Sequence, residues 1–232
     1  MFAKIKSWAS KFFTRAVLIP APANQFEEPS GAGPELPSAE SKGRVKLAVI
    51  VGHEKKAQGA VMAQPFNKSE YEFNTMVAKA MHKYASTLNS EVEVEIIFRD
   101  GLGISGAYAR ARQLLCDAVI ELHFNAFNGK VVGTETLTTP DSSDMDFAHI
   151  VQKKMCEVFG RDGQSRGVKA ISKSARGGGN VHSFPGGVNC LVEPFFGDTH
   201  SEASLAMNRL DEYAEALVQA VVLWGRQVDL LH

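Results

Sequence analysis

The sequence predicts an α/β fold: a single three-layer domain with a mostly parallel twisted sheet flanked by helices, preceded by a flexible N-terminal segment. Three observations carry that expectation. Strand-like and helix-like segments alternate from about residue 44 onward, the pattern of strands joined by helical crossovers. Strand candidates such as KLAVIV (46–51) are continuous apolar runs rather than alternating ones, as strands covered on both faces must be. The chain has 232 residues, 44% of them hydrophobic, enough for one medium domain with a core and cramped for two.

Taken in order, residues 1–19 are expected to form a basic amphipathic segment. Ile5, Trp8 and Phe12 recur at helical spacing with Lys4, Lys6, Lys11 and Arg15 around them, a pattern suited to an anionic membrane surface or a protein partner through residues 1–16. The apolar stretch Ala16 to Ile19 is stopped by Pro20 and Pro22, too short to span a membrane and poor as a signal peptide. Residues 20–43 are rich in Pro, Ser, Gly, Ala and Glu, the composition of a flexible linker. The folded domain is expected over 44–232.

Within it, KLAVIV is the first strand and ends at Gly52 and His53. Phe73, Val77, Ala80, Met81, Tyr84 and Leu88 mark an amphipathic helix capped by Asn67 or Ser69. EVEVEIIF (91–98) reads as a strand, 105–115 as a helix and AVIELHF (118–124) as a buried strand. VVGTETLTT (131–139) is the next strand candidate, 143–159 a helix, and GVNCLVE (187–193) the last strand. A long C-terminal helix closes the domain, burying Leu205, Leu210, Tyr213, Leu217, Val221 and Trp224. The Gly-rich SARGGGN (174–180) lacks the Gly-Lys-Ser/Thr ending of a phosphate-binding loop. It reads as a loop near the cleft or a surface turn, not as the opening of a helix.

Composition excludes more than it selects. Lys and Arg (25) balance Asp and Glu (26), so nothing in the charge suits a nucleic-acid partner. Cys116, Cys156 and Cys190 lack CxxC spacing and sit among apolar residues, which reads as buried reduced thiols and synthesis in the cytoplasm.

Ligands of open α/β sheets gather outside the carboxyl ends of the strands, and three of the strand candidates end in His53, His123 and Glu193. Glu70, in the first turn of the helix after strand one, can return to the same edge. Two imidazoles and one carboxylate leave an open position on zinc, as catalytic sites require; a further carboxylate can then move protons. Each residue also has an ordinary reading. A lone His at a strand end is usually just hydrogen-bonded, and the helix macrodipole accounts for a carboxylate in a first turn. Glu193, inside the apolar run CLVEPFF, is harder to explain this way, because a buried unpaired carboxylate costs several kcal/mol or titrates to neutrality.

These residues fall into an ordered series of motifs. VGHEKKAQGA (51–60), Glu70 and Asn74 in EYEFN, Phe98-Arg99-Asp100, Asp117 leading to His123, Asn125 and Ala126 in CDAVIELHFNA, GTET (133–136), RGVK (166–169) and LVEPFF (191–196) follow one another along the chain. In this order they resemble the zinc-dependent N-acetylmuramoyl-L-alanine amidases of bacterial cell-wall hydrolases and phage endolysins, over nearly all of 45–220. The resemblance implies that His53, Glu70 and His123 hold Zn2+, and that Glu193 is the catalytic general base and acid. Peptidoglycan is then the substrate, cut between N-acetylmuramic acid and the L-alanine of the peptide stem. The lack of a convincing signal peptide and of a separate wall-binding repeat favours a compact phage lysis enzyme acting on the wall over a secreted bacterial autolysin, and a monomer is expected. A zinc peptidase or carbohydrate deacetylase acting on the wall, or an inactive wall-binding module, are the alternative readings. Two departures stand out. Glu121 occupies a position where the family often has Ser, and is expected to face either the site or solvent. The stretch after RGVK is short, with the Gly-rich run in place of a long regulatory helix, which reads as a constitutively open cleft.

Overall fold

The computed structural model describes residues 43–231 other than 88, 90 and 162. The expected amphipathic segment, all of the linker but its last residue, and Leu88 lie outside the described residues.

Six strands and six helices alternate. β1 (Val45–Val51), α1 (Glu70–Thr87), β2 (Val92–Phe98), α2 (Gly103–Gln113) and β3 (Ala118–Leu122) come first. β4 (Thr134–Thr138), α3 (Ser142–Phe159), β5 (Ser165–Ala170), α4 (Gly178–Val181), β6 (Val188–Glu193), α5 (His200–Asn208) and α6 (Leu210–Gln227) follow. The sheet runs β2-β1-β3-β6-β4-β5. All pairings are parallel except β4 against β6, which is antiparallel. This is the expected mostly parallel sheet.

The side chains of β1 alternate between two cores. Leu47, Val49 and Val51 join Phe73, Met81, Phe147, Leu217 and Trp224 in the larger core, while Ala48 and Ile50 meet Tyr108 and Phe184 on the other face. Hence the unbroken apolar run: both faces of β1 are covered. Phe73, Phe147 and Tyr213 are at most 1% exposed, and cutting any of the phenylalanines to Ala costs about 3–5 kcal/mol. Local signals set the helix ends. Ser69 and Glu72 form a reciprocal capping box, with the Ser69 amide donating to Glu72 at 2.9 Å and the Glu72 amide to Ser69 Oγ at 3.2 Å. Asp141 accepts from the Ser143 amide at 2.9 Å to start α3, and Gly160 ends it in the left-handed region at φ 62°.

Four expectations are corrected. The strand expected over 131–139 begins only at Thr134, because Gly133 takes φ +124° and the pairing of β4 with β5 shifts between Thr134 and Glu135. The single C-terminal helix is two, broken at Arg209 (φ −117°, ψ 24°), where no Gly or Pro announces it; Leu205 and Leu210 beside the break are only half-buried. The Gly-rich run does open a helix, the four-residue α4, entered through Gly177 at φ +80°. Cys116 and Cys190 are buried, but Cys156 is half-buried; all three are free thiols.

Candidate active site

The carboxyl edge of the sheet gathers the residues singled out in the sequence. His53 follows β1 with φ 66°, a left-handed backbone tolerated by His better than by most residues, which turns the chain out of the sheet. Gly52 precedes it where a Cβ would lie 2.3 Å from the Leu122 carbonyl oxygen and 2.6 Å from the His123 ring. Only glycine lets the two strand ends approach so closely. His123 leaves β3 with its amide donating to the Val192 carbonyl at 3.0 Å. Asn74, one turn into α1, donates to the Leu122 carbonyl at 2.9 Å and locks the helix to this strand end. That contact gives the Glu-x-x-x-Asn spacing its physical purpose.

Glu70 sits between the two imidazoles. Its Oε2 is 3.0 Å from His53 Nε2 and its Oε1 is 3.1 Å from His123 Nδ1. The amides of Ala60 and Phe124 donate to the same two oxygens at 2.9 and 3.1 Å. One ligand atom from each of His53, Glu70 and His123 falls within 4.8 Å of the others. Burial alone would raise the Glu70 pKa, yet hydrogen bonds and charge from His123 and His53 hold it well below the usual carboxylate range. His123 responds in kind: burial opposes its charge, but the carboxylates of Glu121 and Glu70 raise it to about 9 in the absence of a metal. The set of two nitrogens and one carboxylate oxygen suits a metal with an open coordination position. Gly59 shapes the cradle too, since a Cβ there would lie 2.5 Å from Glu70 Oε2 and 2.6 Å from the His53 ring.

Glu193 ends β6 opposite Glu135 of antiparallel β4. Burial first, then the hydrogen bond and negative charge of Glu135, push its pKa up. Glu135 moves the other way. Burial is outweighed by hydrogen bonds from Lys169, Arg166 and Asn125, with Arg166 Nε and Asn125 Nδ2 each at 2.8 Å. The cleft formed by His53, Glu70, His123, Glu135, Arg176 and Glu193, with their neighbours, encloses about 390 Å³.

All four residues expected at the site are thus brought to one cleft. Sequence reasoning missed the part played by Glu135, although GTET and RGVK were both visible; a carboxylate on β4 beside two cations on β5 was the available signal. Of the two surroundings expected of Glu121, it takes the site: it is 0% exposed, under the cleft and against His123. Three further histidines contact backbone carbonyls instead of joining this cluster. His82, His182 and His200 contact the carbonyls of Val94, Ile171 and Gln64 at 3.0, 2.8 and 2.8 Å.

Fold and cleft together define an α/β enzyme with its site at the carboxyl edge of a parallel sheet and a His/Glu/His donor set for a metal ion. The sequence profile of the N-acetylmuramoyl-L-alanine amidases matches residues 47–222. The chain belongs to that family and is a peptidoglycan amidase, acting on the cell wall. No curated sequence is similar enough to count as a relative. Solved structures share the fold. An N-acetylmuramoyl-L-alanine amidase from Clostridium difficile 630 superposes with a TM-score of 0.67 at 20% identity, over 78% of this chain and 97% of that one. The catalytic domain of the amidase CwlV from Bacillus (Paenibacillus) polymyxa var. colistinus gives 0.65 at 20% identity, over 80% and 99%. The catalytic domain of an endolysin targeting Clostridia difficile gives 0.57 at 21% identity, over 77% and 97%.

Proposed function

We propose that His53, Glu70 and His123 hold Zn2+ and that Glu193 is the proton-transfer group for hydrolysis of the amide between N-acetylmuramic acid and L-alanine. The observation that carries this is the convergence of the three donors to within 4.8 Å around a carboxylate with histidines on both of its oxygens. Zinc, when bound, supplies Lewis acidity and a bound water that ionises near neutrality. The rest falls to the chain's own side chains. Glu193 takes a proton from the attacking water as the new C–O bond forms, and returns a proton to the alanine nitrogen as the C–N bond breaks, without which the amine leaves poorly. Glu135, held anionic by Arg166 and Lys169, keeps Glu193 basic enough to accept. Arg176 lines the cleft, is exposed, and has no partner among the described residues; it is placed to attract carboxylates of the peptide stem.

Metal analysis of the purified protein and mass spectrometry of digested peptidoglycan test this reading. One zinc per chain and release of stems with a free N-terminal L-alanine are expected. Zinc-free active protein, or cleavage at another bond, overturns it. The further reading, a phage lysis enzyme, is supported by the endolysin domain among the similar folds. Its test is expression inside a bacterial host: lysis is expected only once the inner membrane is permeabilised, and intact cells after permeabilisation would refute it.

A further inference from the structure

We infer that Glu121 is the positioning residue for His123: it fixes the imidazole so that Nδ1 faces the metal position. This inference rests on the zinc reading above. Glu121 Oε1 lies 3.2 Å from His123 Nε2, while His123 Nδ1 points to Glu70 at 3.1 Å. A ring that ligates through Nδ1 must carry its proton on Nε2, and Glu121 is the acceptor for that proton. A carboxylate behind a ligating histidine orients the ring and raises its basicity.

Glu121 is 0% exposed, and its charge is held in place from several sides. Arg99 Nη1 donates to Oε1 at 3.0 Å, Tyr108 Oη to Oε2 at 2.8 Å, and Asn180 Nδ2 reaches both oxygens at 2.9 Å. A buried charge of this kind needs close partners, and the histidine is one of those on Oε1. Asn180 belongs to α4, the short helix opened by the Gly-rich run. The same carboxylate therefore joins the cleft wall that carries Arg176 to the metal position.

The test is zinc affinity, measured on the full chain by competition with a chromophoric chelator, together with the visible spectrum of the cobalt-loaded protein and the melting temperature of the metal-free protein. Glu121→Asp keeps the charge for Arg99 but withdraws the oxygen from the ring, and Glu121→Gln keeps the shape but weakens the acceptor. Each is expected to lower zinc affinity by about 10–100-fold and to shift the cobalt spectrum. Tyr108→Phe removes a donor from the oxygen that does not face His123, and is expected to lower the melting temperature while leaving zinc affinity near that of the parent. If Glu121→Gln fails to fold, Glu121→Asp carries the test. Unchanged affinity in Glu121→Asp, or an equal loss in Tyr108→Phe, overturns the inference and makes the network merely structural. Absence of zinc from the parent protein overturns the zinc reading itself, a result separate from either.

Discussion

At the amino-terminal edge of the sheet, Asp117 accepts from the Lys46 amide at 2.9 Å, and Asp144 accepts from the Asn189 amide at 2.8 Å and from the Thr139 hydroxyl. At the carboxyl edge, Glu70, Glu121, Glu135 and Glu193 meet imidazoles, guanidinium groups, an ammonium group and one another. Both edges contain carboxylates removed from water, but they are satisfied differently. Neutral donors at the amino edge fix the ends of strands and of α3. At the carboxyl edge the partners include two imidazoles that converge with a carboxylate to within 4.8 Å, a donor set that suits a cation. Size gives the opposite ranking. The groove at the amino edge, bordered by Asp117, Asp141, Asp144 and Trp224, encloses about 1160 Å³ against about 390 Å³ for the cleft. The chemistry of the partners, not the volume, distinguishes a site from a groove.

The largest expected effect separates the two edges outright. Glu193→Gln should lower the rate of peptidoglycan hydrolysis by about 10²–10⁴-fold, with zinc content and melting temperature unchanged, as read by dye release and metal analysis. Loss of zinc in this variant would make Glu193 a ligand instead. A smaller effect probes the coupled pair. Glu193, raised to about 7 by burial and then by Glu135, must be unprotonated to accept from water, so activity falls as pH drops through its pKa. A bound cation would bring that value back down. Glu135→Gln removes the negative charge that raises Glu193, so the acid limb of kcat/KM against pH should move to lower pH. A limb that stays put would break the claimed coupling. At the amino edge, Asp144→Ala should cost about 1–3 kcal/mol of stability by stranding buried donors of Asn189, with the activity of the folded fraction unaltered. A fall in that specific activity would show that this edge communicates with the cleft.

The comparison also explains what could be read before the fold was known. β1, β3 and β6 were legible because burial on both faces demands unbroken apolar runs, and their polar ends marked the edge where His53, His123 and Glu193 lie. Ser69 announced α1 through its capping box with Glu72. The break at Arg209 was not legible, since no helix-breaking residue marks it. Glu121 was equally opaque. Its partners Arg99, Tyr108 and Asn180 lie between 13 and 59 positions away, and no local spacing reveals a charge balanced over such separations. Glu135 depends on the antiparallel pairing of β4 with β6, an exception to the parallel pattern that the alternation of elements suggested.

The smallest expected effect concerns residues 1–43, for which the two edges make opposite forecasts. β1 begins at Val45 beside the amino edge, where the Lys46 amide meets Asp117, and every residue gathered in the cleft lies between 53 and 193. Among the described residues, those of the domain itself supply every donor of the cleft and every member of its cores. Hydrolysis of purified, exposed peptidoglycan by a chain beginning at residue 44 should therefore match that of the full chain. We propose that the basic amphipathic sequence acts instead on where the enzyme goes. Burial of Ile5, Trp8 and Phe12 in a lipid interface is worth at most roughly 1.5–3 kcal/mol for each side chain, and four nearby cationic residues add attraction to anionic headgroups that salt screens. Truncation should weaken sedimentation with anionic vesicles, most at low salt, and slow lysis of membrane-enclosed cells while sparing bare wall. Equal vesicle binding by the two chains would eliminate the lipid role. Loss of bare-wall activity would place the segment within the catalytic fold and contradict the division at residue 44.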